Sequence, residues 1–114
     1  MTNYAVGHLA EEHAAKYLEK RGYEVLALNW RNRYGEIDIV ANRKKAMYFI
    51  EVKYRKTSAQ GMGLDYITPR KIEQMSFAAQ MWVSENKWNK DYYLGAIEVS
   101  GPDFVITRFL PQLD

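Results

Sequence analysis

No cysteine occurs among the 114 residues. That excludes disulfide staples, Cys-ligated zinc, iron–sulfur clusters and thiol nucleophiles. Histidine is nearly as scarce: His8 and His13 are the only two, and neither has a Cys or carboxylate partner at metal-ligand spacing. A hydroxyl nucleophile finds no support, because Thr57 and Ser58 lack a neighbouring general base and no G-x-S-x-G is present. Gly61-Met62-Gly63 is too short to be a phosphate-cradling loop. No apolar run approaches the ~20 residues needed to span a bilayer, so no membrane partner is expected. Met1–Ala5 carries no basic stretch followed by an apolar one, and a cytoplasmic location is the default expectation. Nor does charge of one sign dominate, with 16 Lys+Arg against 14 Asp+Glu for a net of +2.

What is present suits one compact domain over residues 1–114. Hydrophobic residues make up 47% and aromatics 14%, enough for a continuous core. The mild net charge conceals a gradient. Residues 1–57 hold 11 basic and 7 acidic side chains, whereas 58–114 hold 5 and 7. Within 31–56, Arg31, Arg33, Arg43, Lys44, Lys45, Lys53, Arg55 and Lys56 face only Glu36, Asp38 and Glu51. Such an excess fits a polyanion such as nucleic acid, and it equally fits a solvated basic face.

Periodicity orders the elements αβββαββ. Val6, Ala10, Ala14, Tyr17 and Leu18 recur at helical spacing over 3–21, with Gly22 as the stop. Residues 23–28, 36–41 and 46–54 read as strands, with Asn29–Arg33 a polar bridge and Asn42–Lys45 a hairpin loop. Thr68-Pro69 opens a second helix running to about Glu85, whose apolar face is Ile72, Met75, Ala79, Trp82 and Val83. Strands at 92–99 and 104–109 close the chain. A hairpin followed by a helix crossover implies an α/β fold with a central mixed β-sheet flanked by helices.

The chemically informative stretch is Gly35-Glu36-Ile37-Asp38-Ile39-Val40 followed by Phe49-Ile50-Glu51-Val52-Lys53. An even hairpin loop of two or four residues puts Asp38, Glu51 and Lys53 on one sheet face, with Ile37, Ile39, Ile50 and Val52 on the other. Two acids side by side repel and are costly to bury, and a hard divalent cation such as Mg²⁺ relieves both problems while binding phosphate oxygen. The Lys53 ammonium could then hold a polarised water or counter developing phosphorane charge. The pattern Asp-x12-Glu-x-Lys thus suits metal-dependent phosphodiester hydrolysis. The same spacing also describes a solvated strand face with a surface ion pair; the apolar lead-in Met47-Tyr48-Phe49-Ile50 argues for a buried central strand. Glu11 lies at the edge of the first helix's apolar stripe among small residues, which would aim it at the sheet.

These motifs together resemble the YraN-like family of predicted endonucleases, in the PD-(D/E)xK nuclease superfamily with archaeal Holliday junction resolvases. The likeness rests on Glu11–Leu18 with Gly22-Tyr23, Asn29-Trp30-Arg31, Gly35–Val40, Phe49–Arg55, Gly61 and the helix around Lys71. It implies a restriction-endonuclease-like core and an Mg²⁺- or Mn²⁺-dependent endonuclease acting on DNA, including branched or flapped forms. Asp38 and Glu51 would be metal ligands with the Val52 carbonyl as a third, Lys53 the catalytic lysine, and Glu11 an added helix carboxylate. Arg31, Arg33, Arg43, Lys44, Arg55 and Lys56 would grip phosphates, Lys71 would contact phosphate at most, and a homodimer is plausible by analogy with twofold relatives. The alternative is a non-catalytic nucleic-acid-binding module that keeps the fold. Two departures stand out: Ile37 replaces the Pro before the Asp, and Tyr93-Leu94-Gly95 stands where many members carry Arg-Phe-Asp.

Overall fold

The computed structural model describes residues 1–57 and 65–113, and the chain runs α1 (Asn3–Lys20), β1 (Glu24–Asn32), β2 (Gly35–Arg43), β3 (Ala46–Arg55), α2 (Pro69–Glu85), β4 (Tyr92–Ser100), β5 (Val105–Leu110). The element order is the αβββαββ read from the sequence. The strands form one sheet in the order β1-β2-β3-β4-β5. Only β3 and β4 run parallel; the other neighbours are antiparallel. A parallel pair cannot be closed by a tight turn, and α2 is the crossover that joins it. The result is a mixed sheet flanked by two helices, consistent with a restriction-endonuclease-like core.

Each helix starts on a threonine. The Thr2 Oγ1 accepts from the Ala5 N–H at 3.1 Å, and the Thr68 Oγ1 accepts from the Lys71 N–H at 3.1 Å, with Pro69 in the first turn. Each cap satisfies a donor that would otherwise be orphaned. Gly22 ends α1 in the left-handed region (φ 90) while the Tyr23 N–H bonds back to the Leu18 carbonyl at 3.0 Å. A residue with a side chain would be strained there.

Alternation along the central strands sends residues to two cores. Ile39, Ala41 and Ile50 pack with Ala10, Ala14, Ala15 and Leu18 of α1. Val40, Met47 and Phe49 pack with Ala78, Ala79 and Trp82 of α2. Both faces of β2 and β3 are therefore covered, as strands buried in an α/β layer require. Trp82 is core, whereas Trp30 and Trp88 are partly buried against the same cluster.

Three details refine the sequence reading. The polar bridge at 29–33 is mostly strand: β1 continues to Asn32 because β2 supplies hydrogen-bonding partners as far as Asn32↔Gly35. The turn there is closed by the Asn32 Oδ1, which accepts from the Tyr34 and Gly35 N–H groups at 2.9 and 3.2 Å. The next hairpin has the shorter of the two loops considered, Lys44-Lys45, with Lys44 at φ 54 and Arg43 paired to Ala46. Ile37 packs with the α2 cluster and not with Ile39 on the α1 side. It lies where β2 has parted from β3, since their pairing ends at Ile39↔Ile50. The Gly61-Met62-Gly63 segment falls outside the described residues.

Gly95 has a steric reason. A Cβ there would lie 2.8 Å from the Leu110 carbonyl oxygen and 2.9 Å from that of Pro111. The Leu113 N–H also bonds the Leu94 carbonyl at 2.9 Å. Main chain fills the space that a side chain at this position would need. Tyr93, next on this face, stacks obliquely on Tyr48 at 5.5 Å. Among the described residues, no helix is long and apolar enough to cross a membrane.

Candidate metal centre

Pairing between β2 and β3 runs from Arg43↔Ala46 to Ile39↔Ile50 and then stops. Past that point the Val52 N–H donates to the Asp38 Oδ2 at 2.8 Å. A side-chain carboxylate has replaced the main-chain acceptor of the ladder. One residue's N–H and C=O leave an extended strand on the same edge, so the Val52 carbonyl also faces the gap between the two strands.

Asp38 and Glu51 meet at this gap, lining one small crevice, and Glu51 acts directly on the Asp38 carboxyl. Burial first, then the hydrogen bond and charge of Glu51, push the Asp38 carboxyl up to about 9; the Val52 N–H pulls the other way and Glu11 adds a further upward push. The register read from the sequence therefore does bring the two acids together. Glu11 arrives from α1, its side chain 13% exposed. It accepts from the Asn29 Nδ2 at 2.8 Å, and the His8 Nδ1 lies 3.8 Å from its Oε1. His8 thus does have a carboxylate neighbour, three residues on along α1, which the helical spacing over 3–21 already offered. Asn29 has a left-handed backbone (φ 53).

The cation nearest Glu51 comes from the opposite helix. The Lys71 Nζ lies 2.6 Å from the Glu51 Oε2. Burial alone would lower the pKa of Lys71, but the hydrogen bond and charge of Glu51, with Asp38 and Glu36 behind them, outweigh it and raise the pKa. Lys53 lies two residues beyond Glu51 on the same face of β3 and is exposed, with its Nζ 5.9 Å from the centre of the Tyr66 ring. Arg55 follows, 5.6 Å from that ring. The Tyr66 hydroxyl is buried and has no hydrogen-bond partner among the described residues. Burial and then the charges of Glu98, Glu51 and Asp38 push this phenol well above its ordinary range.

Glu98 and Tyr66 escaped the sequence reading. Glu98 is only 5% exposed and pairs in register with Lys53. It accepts from the Arg55 Nε at 2.9 Å and from the Thr107 Oγ1 at 2.8 Å, while Arg55 also binds Asp65. A lone acid inside Ala96-Ile97-Glu98-Val99 was the available signal, since a charge in a central strand is buried only when paired. Arg55 is thus tied into a buried ion pair, not left to reach outward.

The other basic candidates divide between the two ends of the strands. Arg31 pairs with Glu36 at 3.3 Å and Arg33 lies over the Tyr34 ring at 5.1 Å, both at the Asp38 end. Lys56 is exposed just beyond β3. Arg43 and Lys44 are at the other end, about 17 Å along β2 from Asp38 at ~3.3 Å per residue. There Arg43 donates to the Arg21 carbonyl at 3.2 Å and covers Tyr23. His13 is exposed and stacks on Phe104 at 5.0 Å.

The donor set suits a hard divalent cation. The groups around the gap are carboxylate and carbonyl oxygens, and a crevice of about 10 Å³ lined by Asp38, Glu51, Ile37, Phe49 and Met75 borders them. That is room for about one water-sized species. Among the described residues, no three or more His, Cys, Asp or Glu side chains are gathered closely enough to hold a metal by themselves. Mg²⁺ commonly takes one or two carboxylates and completes its shell with water and phosphate oxygen.

Comparison with known proteins adds the family. Residues 10–108 match the family described as "Uncharacterised protein family UPF0102". A UPF0102 protein of Trichlorobacter lovleyi is 46% identical over 86 residues, covering 75% of this chain and 68% of that relative. A UPF0102 protein of Tropheryma whipplei is 36% identical over 120 aligned residues, covering 99% and 89%. Another from a Sulfurihydrogenibium species is 38% identical over 96 residues, covering 83% and 84%. The matched span contains Glu11, Asp38, Glu51, Lys53, Lys71 and Glu98, and the chain belongs to the UPF0102, or YraN, family.

Proposed function

We propose that this protein is a divalent-metal-dependent endonuclease that hydrolyses phosphodiester bonds in DNA. The observation that carries the reading is the meeting of Asp38 and Glu51 where β2 and β3 part, with the Val52 main chain alongside. Asp38, Glu51 and the Val52 carbonyl would hold Mg²⁺ or Mn²⁺. When bound, such an ion supplies Lewis-acid polarisation of a phosphoryl oxygen and a more acidic water.

The chain's own side chains do the rest. Lys53 is exposed beside the acids and is free to set an ammonium against the negative charge that builds on phosphorus. Glu98 and Arg55 stiffen the strand segment that presents it. Glu11, fixed by Asn29, adds negative potential behind Asp38 and so favours a cation there. Arg31, Arg33 and Lys56 lie at the same end and would engage flanking phosphates, making affinity fall steeply with salt.

The test is cleavage of labelled flapped and four-way-junction DNA with Mg²⁺ or Mn²⁺. Wild-type protein should cut, and Asp38→Ala and Lys53→Ala should each lose about a hundredfold or more. Equal activity in all three would overturn the proposal.

One observation favours a second reading, a nucleic-acid-binding module without catalysis. Lys71 already gives Glu51 a counter-ion. That reading predicts salt-dependent DNA binding with no heat on Mn²⁺ titration.

A further inference from the structure

Beside the carboxylate pair lies a cleft of about 950 Å³ between the β1–β2 turn and the first half of α2. Its wall includes Tyr34 and Phe77, 54% and 48% exposed. Their ring centroids are 5.9 Å apart, nearly perpendicular at 80°. Large aromatics held in contact yet half open to water lose the benefit of burial, so the packing of the fold does not account for them.

Position gives the pair meaning. The cleft and the crevice over Asp38 share Glu36 and Met75. Lys71, which lines the cleft, reaches Glu51. The lining carries Arg70 and Lys71 against Glu36 and Glu73, and Arg31 and Arg33 flank it on the β1–β2 turn. Glu36 is paired with Arg31. Cations at its edge, aromatic faces in its wall and an opening onto the carboxylate pair match the chemistry of an unpaired nucleotide: phosphate at the edge, base on the ring. A base inside a duplex offers no free face, whereas one beside a flap or branch point does.

Building on the nuclease reading above, we infer that this cleft receives an unpaired DNA base flanking the scissile phosphate, stacked on Phe77 with Tyr34 as its side wall. The cleft thereby selects strands that branch from a duplex over fully paired DNA.

The experiment is fluorescence anisotropy in EDTA, so that no hydrolysis occurs. The probes are a blunt duplex and the same duplex bearing a short single-stranded flap with 2-aminopurine at its first unpaired position. Wild-type protein should bind the flapped form about tenfold more tightly and quench the 2-aminopurine. Phe77→Ala and Phe77→Leu should cut that preference to about twofold or less while leaving blunt-duplex affinity unchanged, and Phe77→Trp should keep it. The Leu variant retains apolar bulk, so a matching loss in both variants is not a folding defect. An equal preference in wild type, Phe77→Leu and Tyr34→Ala would overturn the inference. So would a dimer that dissociates on Phe77→Leu, because the patch would then be a contact between copies. Flap preference without cleavage in Mg²⁺ would sink the nuclease reading alone, and cleavage with no flap preference would sink only the cleft.

Discussion

Lys71, on the α2 side of the sheet, places its ammonium 2.6 Å from the carboxylate of Glu51, whose charge also bears on Asp38. The fold has therefore supplied one positive charge to a spot that holds two acids. A divalent ion entering there must displace or share this contact. Lys71→Met should consequently bind Mn²⁺ severalfold more tightly in calorimetry. Because the Lys71 side chain is 36% exposed, solvent screens the pair, and the metal-free protein should lose no more than about 1 kcal/mol.

The raised Asp38 carboxyl makes metal-free stability depend on pH. Between its ordinary value of 3.8 and about 9, the folded protein holds a proton that the unfolded chain releases. Stability must therefore fall as pH rises through that window. Tm of metal-free protein should drop by about 5 °C or more from pH 5 to pH 9. Asp38→Asn should flatten the slope, and millimolar Mg²⁺ should offset the drop at the alkaline end by binding the ionised pair.

Glu98 tests the ion pair behind Lys53. Removing a buried, paired charge leaves its partners uncompensated, and Glu98→Ala should cost about 3–5 kcal/mol in urea unfolding. Tyr66→Phe is the contrasting case. Its hydroxyl is buried without a partner among the described residues, so deleting it should leave stability unchanged or slightly higher.

Gly95→Ala should destabilise by about 1–3 kcal/mol, because the new Cβ would press on the backbone of Leu110 and Pro111 rather than on a movable side chain. Gly95→Asp, which adds a larger and charged side chain at the same point, should be worse still. Thermal melting of both variants checks the order.

Much of this arrangement was legible in the sequence, for local reasons. Strand alternation and the even Lys44-Lys45 turn sufficed to bring Asp38 and Glu51 to one face. The small residues around Glu11 indicated that its carboxylate would turn inward, and its side chain is mostly covered. What periodicity missed depends on contacts between distant segments. The Lys71–Glu51 pair needs α2 to fold back over β3, and the Asn29–Glu11 bond needs β1 beside α1. Polar Asn29–Asn32 became strand because β2 supplied partners. Ile37 changed sides because β2 leaves β3 just there, and no pattern of apolar residues records where two strands separate.

The central claim is that the gap between Asp38 and Glu51 seats a divalent cation. Anomalous diffraction from crystals soaked in Mn²⁺ tests it most directly. The account predicts one strong peak within bonding distance of both carboxylates and the Val52 carbonyl, with the Lys71 side chain withdrawn from Glu51. No peak at that position, with Lys71 still bound to Glu51 at saturating Mn²⁺, would contradict it.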